Sequence, residues 1–462
     1  MAGRVKDLTK GTPWKIITLF SIPIAISYIL QQLYNVFDLL MIGNLLPETS
    51  FAAVGTTTPL SLFFLMFATG CATGFSVVTS QRFGKGDYET MKLSFITGII
   101  LCVIIGFALT IISVGLCEPF LYLVGVDRNN ILFIDAYNYI IVIFIGTIAN
   151  IFYNYFACIL RSVGNTRAPL IFLAITAVLN IGLNYMFLTC TDLGVIGPAI
   201  GTVVSQGISA IASFIYIQVR YPEFRVKLKE FRLEKRQVQL HLKQGLPMGV
   251  QFSFLYIALI ILQRQINSFG EGATSAFSAA NKVDALIMQP SNAIGTAMVT
   301  FVGQNYGSRK HKRIKEGIIQ MSIVQAILCL IMTVVALCIK DNFIYIIVKD
   351  PSPDTVKYAP IVMLLIGLSQ ISIGAIFLFR NALQACNRSI HAMICSIIQA
   401  VIRIIIALTF PLFMGFLGVA LATPIAWLAS GISLIIMTII HVFKRLPSVD
   451  QILEKDLKEQ IQ

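Results

Sequence analysis

Asp38 is the one charged residue in an apolar stretch, 16–46, that is long enough to cross a bilayer. A carboxylate is costly in hydrocarbon, so a helix carrying one turns it towards a protein interior or a wet cavity. Ser27, Gln31, Asn35 and Asp38 recur at i, i+4, i+8 and i+11, which is one continuous helical face. Pro23 removes one rung of the backbone ladder early in the stretch, so a helix bend is expected there. The competing reading is an acid near the outer helix end, close enough to Pro47 to reach the headgroups. It leaves the polar stripe unexplained.

Three more stripes accompany Asp38 in the first half of the chain. Tyr139, Gly146, Asn150 and Asn154 share a face of the fourth apolar run. Thr176, Asn180 and Asn184 recur every four residues in the fifth, and Thr202, Ser205 or Gln206, and Ser209 do so in the sixth. Each stripe alone reads equally well as hydrogen bonding between helices. Together with Gln31, Tyr34 and Asn35 of the first run, they favour a hydrated cavity between spans one, four, five and six. Carboxylate, amide and hydroxyl oxygens are hard ligands that suit Na⁺. Equally, burial disfavours a charged carboxylate, and Asp38 would then take up and release a proton near neutral pH. The residues leave both open.

The remaining chemistry is sparse. Arg264, Lys282, Asp284, Arg380 and Arg403 lie within apolar runs of the second half. Lys282 and Asp284 are expected to pair locally, and Arg380 and Arg403 to meet helix-end carbonyls or lipid phosphate. The four histidines fall at helix ends without metal-ligand spacing, and the nine cysteines are scattered singly, with no CxxC. No GxxxxGK[ST], no HExxH and no paired-acid motif is present, which argues against ATP-driven transport and against an enzyme.

These residues must be positioned by membrane helices. Only 12% of the 462 residues are charged, 56% are hydrophobic and the mean hydropathy is +0.81. Soluble domains carry about 25% charge. Twelve runs of spanning length occur, at 14–40, 52–82, 92–116, 131–160, 168–190, 193–219, 238–268, 273–304, 314–339, 356–386, 391–413 and 416–440. The first lacks a signal-peptide cleavage site and is expected to be retained. Of the 35 Lys and Arg, four (Arg128, Lys340, Lys349, Lys357) fall in loops on one side and four within spans; the rest fall on the other side. The positive-inside rule then puts both termini in the cytoplasm, and the net charge of +13 becomes a topology signal and an attraction to anionic lipid, with no nucleic-acid partner. The expected class is an all-α polytopic membrane protein of twelve transmembrane helices in two pseudo-symmetric six-helix lobes. The domains would be 1–220, a cytoplasmic linker 221–243, 244–445 and a cytoplasmic tail 446–462. The linker reads as an amphipathic helix on the inner leaflet or as a solvated connection.

The two lobes look like copies. Pro23 aligns with Pro247 at an offset of 224, Gln81 and Gly84 with Gln304 and Gly307 at 223, and Gly194, Gly197 and Thr202 with Gly415, Gly418 and Thr423 at 221. An even number of spans separates them, so the repeat is parallel. Asp38 maps to about Leu262 and Asn180 to Arg403, so the acid of the first copy has no counterpart.

FVGQNYG (301–307), VTSQRFGKGD (78–87), RSVGNTRAP (161–169) and the first helix with Pro23 and Asp38 resemble the multidrug and toxic compound extrusion (MATE) transporters over nearly the whole chain. The resemblance implies a secondary antiporter of the plasma membrane, in which cation entry drives export of bulky, often cationic amphipathic compounds. It implies that Asp38 couples, that the proline-bent helix moves, and that no cofactor beyond H⁺ or Na⁺ is needed; a monomer is expected. The chain looks closest to the DinF-like branch, which pairs the first-helix Asp with positions matched here by Asn180, Asn184 and Thr202. Asn184 stands where some members carry an acid, which weakens a Na⁺ site at Asp38, Asn180 and Thr202 and favours H⁺. A flippase for lipid-linked oligosaccharide is the alternative of the same architecture, and would call for an arginine-rich cavity.

Overall fold

The computed structural model describes residues 7–348 and 350–447, and the expected tail lies almost wholly outside them, as does Lys349. Among the described residues the chain is helical, with no strand. Among the described residues nine helices are long and apolar enough to cross a membrane singly, and three bent pairs, each taken as one span, bring the number to twelve.

By packing, the chain falls into two units, Ile26–Ser253 and Asp7–Ala25 with Phe254 onwards. The division is not at the expected 220 and 244. It cuts through the interior of the first span (Pro13–Leu45) and of the seventh (Lys235–Asn267), shortly after Pro23 and Pro247 respectively. The first helix runs continuously through Pro23.

The first unit holds spans two to six: Glu48–Lys85, Tyr88–Gly115, the pair Phe133–Ile145 and Thr147–Ser162, Arg167–Cys190, and Ile196–Arg220. The fourth span bends by 44° at Gly146, so its polar stripe does not lie along one straight face. A Cβ on Gly146 would meet the Val203 side chain at 2.1 Å, so glycine is required by close packing on the sixth span. RSVGNTRAP makes the next corner: Gly164 takes φ 86°, and Asn165 accepts from the Ala168 N–H at 3.0 Å while donating to the Tyr221 hydroxyl at 2.8 Å.

Glycine also lets the seventh span into this unit. Gly70 and Gly74 of span two meet Gly245 and Gly249 of span seven, two GxxxG faces in contact. A Cβ on Gly74 would lie 2.5 Å from the Gly245 Cα, and one on Gly70 would lie 2.5 Å from the Met248 carbonyl oxygen. Arg82 adds a hydrogen bond from Nη2 to Gln237 Oε1 at 2.8 Å. The 221–243 connection is mostly exposed and is not one amphipathic helix, and from Lys235 it already belongs to the helix of span seven. It forms short 3-10 turns at Pro222–Phe224 and Leu228–Glu230, with Phe224 fully buried. Glu230 pairs with Lys92 at 2.7 Å, and that hydrogen bond holds its carboxyl below the usual range.

The second unit holds the bent pairs Glu271–Ile287 with Gln289–Gly307 (44°) and Pro353–Leu368 with Gln370–Ala385 (42°), and the spans His311–Ile339, Ser389–Met414 and Phe416–Lys444. Pro290 opens the second piece of one pair and supplies no N–H to the turn before it. Ser369 marks the other break, its hydroxyl bonding back to the Leu365 and Ile366 carbonyls at 2.8 and 3.0 Å. FVGQNYG grips the chain's own start: Gln304 Oε1 accepts from the Leu8 N–H at 2.9 Å, and Asn305 Nδ2 donates to the Leu8 carbonyl at 3.2 Å. Arg313 and Lys310 cap the carbonyls of Gly11 and Thr9 at 2.5 and 3.0 Å.

Gly74→Leu is expected to destabilise the protein by about 1–3 kcal/mol or more, because the new side chain meets backbone that has no room to yield. Gly182→Leu, a helical position with open space around it, is the matched control. Thermal unfolding in detergent measures both, and an equal midpoint for the two variants would refute the close glycine contact.

Candidate functional site

Three spans of the first unit bring Asp38, Asn180, Asn184 and Thr202 together. Asn184 Nδ2 donates to Asp38 Oδ1. The same amide nitrogen reaches Asn180 Oδ1 at 3.1 Å, and Asn180 Nδ2 donates to Thr202 Oγ1 at 3.1 Å. A chain of hydrogen bonds thus runs from the first span through the fifth to the sixth. Asn180 and Asn184 are both completely buried, one helical turn apart on the same face. Tyr34 bonds to Thr202, and Tyr139 stands within electrostatic reach of Asp38. Asp38 therefore meets the fifth span, and through it the sixth, within its own unit. Among the described residues no basic side chain pairs with it.

Packing explains why this site is tight. Gly197, Gly201, Ser205, Ser209 and Ser213 recur every four residues along span six and are all buried. This ladder of small residues lets span five approach closely. A Cβ on Gly201 would lie 2.0 Å from Asn184 Oδ1. Gly201 is a site-shaping residue that the polar stripes did not reveal; the four-residue small ladder was its signal. Asn184 Oδ1 itself is buried and has no hydrogen-bond partner.

The other expected cavity residues separate into groups. Asn150 Nδ2 donates to Gln206 Oε1 at 3.3 Å, joining spans four and six, and Asn154 Nδ2 donates to the Asn150 carbonyl at 2.9 Å. Thr176 shares a hydrogen bond with Ser209 and donates to its own helix at Phe172, 2.7 Å away, so it clasps span five to span six. Gln31 and Asn35 are exposed on the first span.

The second unit treats its acid differently. Lys282 is exposed and does not pair with Asp284, because residues two apart point to different sides of a helix. Asp284 is buried instead, accepts from Gln370 Nε2 at 3.0 Å, and feels the charge of Arg403. Arg403 and Arg380 are themselves 3% and 7% exposed, so neither is turned out to lipid phosphate. Arg380 lies over the Phe377 ring, 5.3 Å from its centroid.

The MatE family profile matches residues 23–186 and 247–409, one match in each copy of the repeat. The chain belongs to the MatE family. The family's members are transporters and not enzymes, and the protein is a membrane-embedded member of a multidrug efflux family. The probable multidrug resistance protein YpnP of Bacillus subtilis is 27% identical over 436 residues, covering 92% of this chain and 94% of that protein. The multidrug export protein MepA of Staphylococcus aureus is 21% identical over 445 residues, 96% of each chain. A solved structure of a multidrug resistance MATE family transporter of the MOP superfamily, in an outward-facing conformation, superposes with a TM-score of 0.87 at 21% identity, over 95% of this chain and 98% of that one. The twelve-helix fold is the MATE fold.

Gly201→Ala is expected to push the Asn184 side chain away from Asp38 and to lower dye efflux about tenfold, a coupling loss of roughly 1.4 kcal/mol. Combined with Asn184→Ala it should cost little more than Asn184→Ala alone. Independent, additive losses in ethidium efflux from vesicles would contradict the shared contact.

Proposed function

We propose that this protein is a secondary antiporter of the plasma membrane, with both termini cytoplasmic, that exports amphipathic or cationic compounds in exchange for protons through Asp38. The observation that carries this reading is a carboxylate inside a helix bundle with no basic partner among the described residues, held by an amide that can serve either of its protonation states. In the geometry seen, the Asn184 amide donates to the carboxylate and its oxygen has no partner. Once Asp38 takes a proton, its carboxyl becomes a donor and needs an acceptor. Rotation of the Asn184 amide supplies one. A single side chain thus satisfies both states in a site where an unmet polar group costs about 1–3 kcal/mol.

Sodium is the less supported coupling ion. A hard cation wants several oxygens converging on it. Here the Asn184 and Asn180 amides present nitrogen towards Asp38 and Thr202, and the one carboxylate in this hydrogen-bonded chain, among the described residues, is Asp38. No cofactor is required, and the protein is proposed to act as a monomer. The flippase alternative would need arginines for a pyrophosphate, and Arg403 stands beside Asp284.

Asp38→Asn should abolish efflux driven by an imposed pH gradient in proteoliposomes while leaving expression and thermal unfolding unchanged. Full transport by this variant would end the coupling claim. Asn184→Asp should bring Na⁺ dependence at fixed pH, because it adds a second carboxylate and removes the amide donor. Wild-type dye efflux driven by a Na⁺ gradient, and not by a pH gradient, would reverse the assignment of the ion.

A further inference from the structure

A cavity of about 520 Å³ opens on the first unit, and neither Asp38 nor any other residue of the hydrogen-bonded chain lines it. This is within the size range of ligand pockets, about 300–1,000 Å³. Its wall is apolar throughout, formed by spans three, four and six and closed by Phe231 of the connection between the copies. Along span six it runs from Val203 past Gly207, Ala210 and Ile211 to Phe214. That is about 16 Å at 1.5 Å per residue, the depth of one leaflet of a hydrocarbon core about 30 Å thick. Ile145, Ile211 and Phe231 on its rim are exposed. Gly146, where span four bends, lies at its deep end.

Such a wall offers nothing to a charged or polar body, so the occupant enters with an alkyl chain. Its polar end must stop at Phe231. There the chain carries six basic residues against three acids between 222 and 236. Lys227, Lys229 and Arg232 are exposed, whereas Glu230, the acid next to Phe231, is already paired with Lys92. By the Lys and Arg asymmetry this connection faces the cytoplasm. A phosphate there is attracted by each nearby cation.

We propose that this cavity is a lipid site, taking one acyl chain of an inner-leaflet anionic phospholipid whose headgroup rests on Lys227, Lys229 and Arg232. The site is separate from Asp38 and does not depend on the transport reading.

The test uses the full chain in vesicles containing phosphatidylglycerol with a diazirine in its acyl chain, or phosphatidylcholine with the same chain. Photolabelled peptides are located by mass spectrometry. Label is expected on 145–156 and 203–214 with phosphatidylglycerol. Gly207→Leu fills the cavity, since a Cβ at 207 meets only Ala149 at an ordinary 3.9 Å. It should lower labelling about tenfold, the effect of roughly two methylenes left unburied. Ala149→Leu, from the opposite wall, is the second packing variant, and thermal unfolding checks both. Replacing Lys227, Lys229 and Arg232 with Gln, all at exposed positions, should cut phosphatidylglycerol labelling without moving the unfolding midpoint. Undiminished labelling of the filled variants, equal labelling by phosphatidylcholine, or displacement of the lipid probe by ethidium would each overturn the proposal.

Discussion

Hydrocarbon has no water to satisfy a polar group, and the whole arrangement around Asp38 answers that one constraint. The carboxylate reaches Asn184, Asn184 reaches Asn180 on the same helix, and Asn180 reaches Thr202, so the hydrogen bonds run from the first span through the fifth to the sixth. The chain needs spans five and six nearly in backbone contact. Gly197, Gly201 and the serines that follow at the same spacing provide that closeness. The polar path and the small-residue ladder are therefore one device: the ladder sets the distance and the amides use it.

The two copies meet the constraint in opposite ways. In the first, the acid has amides and a hydroxyl for company. In the second, Asp284 lies beside Gln370 and Arg403, and Arg403 occupies the position that aligns with Asn180. Asp284 feels the charge of an arginine in its own unit, whereas among the described residues no basic side chain pairs with Asp38. Duplication supplied the same helices twice, but the buried acids lie on different spans: Asp38 maps to about Leu262, and Asp284 to about Ser61.

Glycine and proline do for the backbone what the amides do for the side chains. Glycine faces of spans two and seven touch, and at positions aligned with Gly245 and Gly249 the first span carries the small residues Ser21 and Ala25. Both spans pass from one packing unit to the other shortly after a proline. Gln304 and Asn305 hold the backbone N–H and carbonyl of Leu8, which gives the FVGQNYG motif a structural task.

Composition and periodicity alone determined the membrane class, the twelve spans and the repeat, because the cost of exposing polar backbone to lipid leaves long apolar helices as the means of crossing. The stripe spacing pointed to a polar cavity between spans one, four, five and six, and the resemblance to the MATE transporters implied that Asn180, Asn184 and Thr202 are the partners of Asp38. What spacing cannot say is which neighbour a face meets. Thr176 shares the stripe of Asn180 yet bonds to Ser209, and Asp284 turned from the nearby Lys282 to Gln370, because partner choice depends on how helices pack in three dimensions. The bends at Gly146, Met288 and Ser369, and the division of the first and seventh spans between packing units, likewise arise from contacts between segments remote in the chain, and only the tertiary structure decided them.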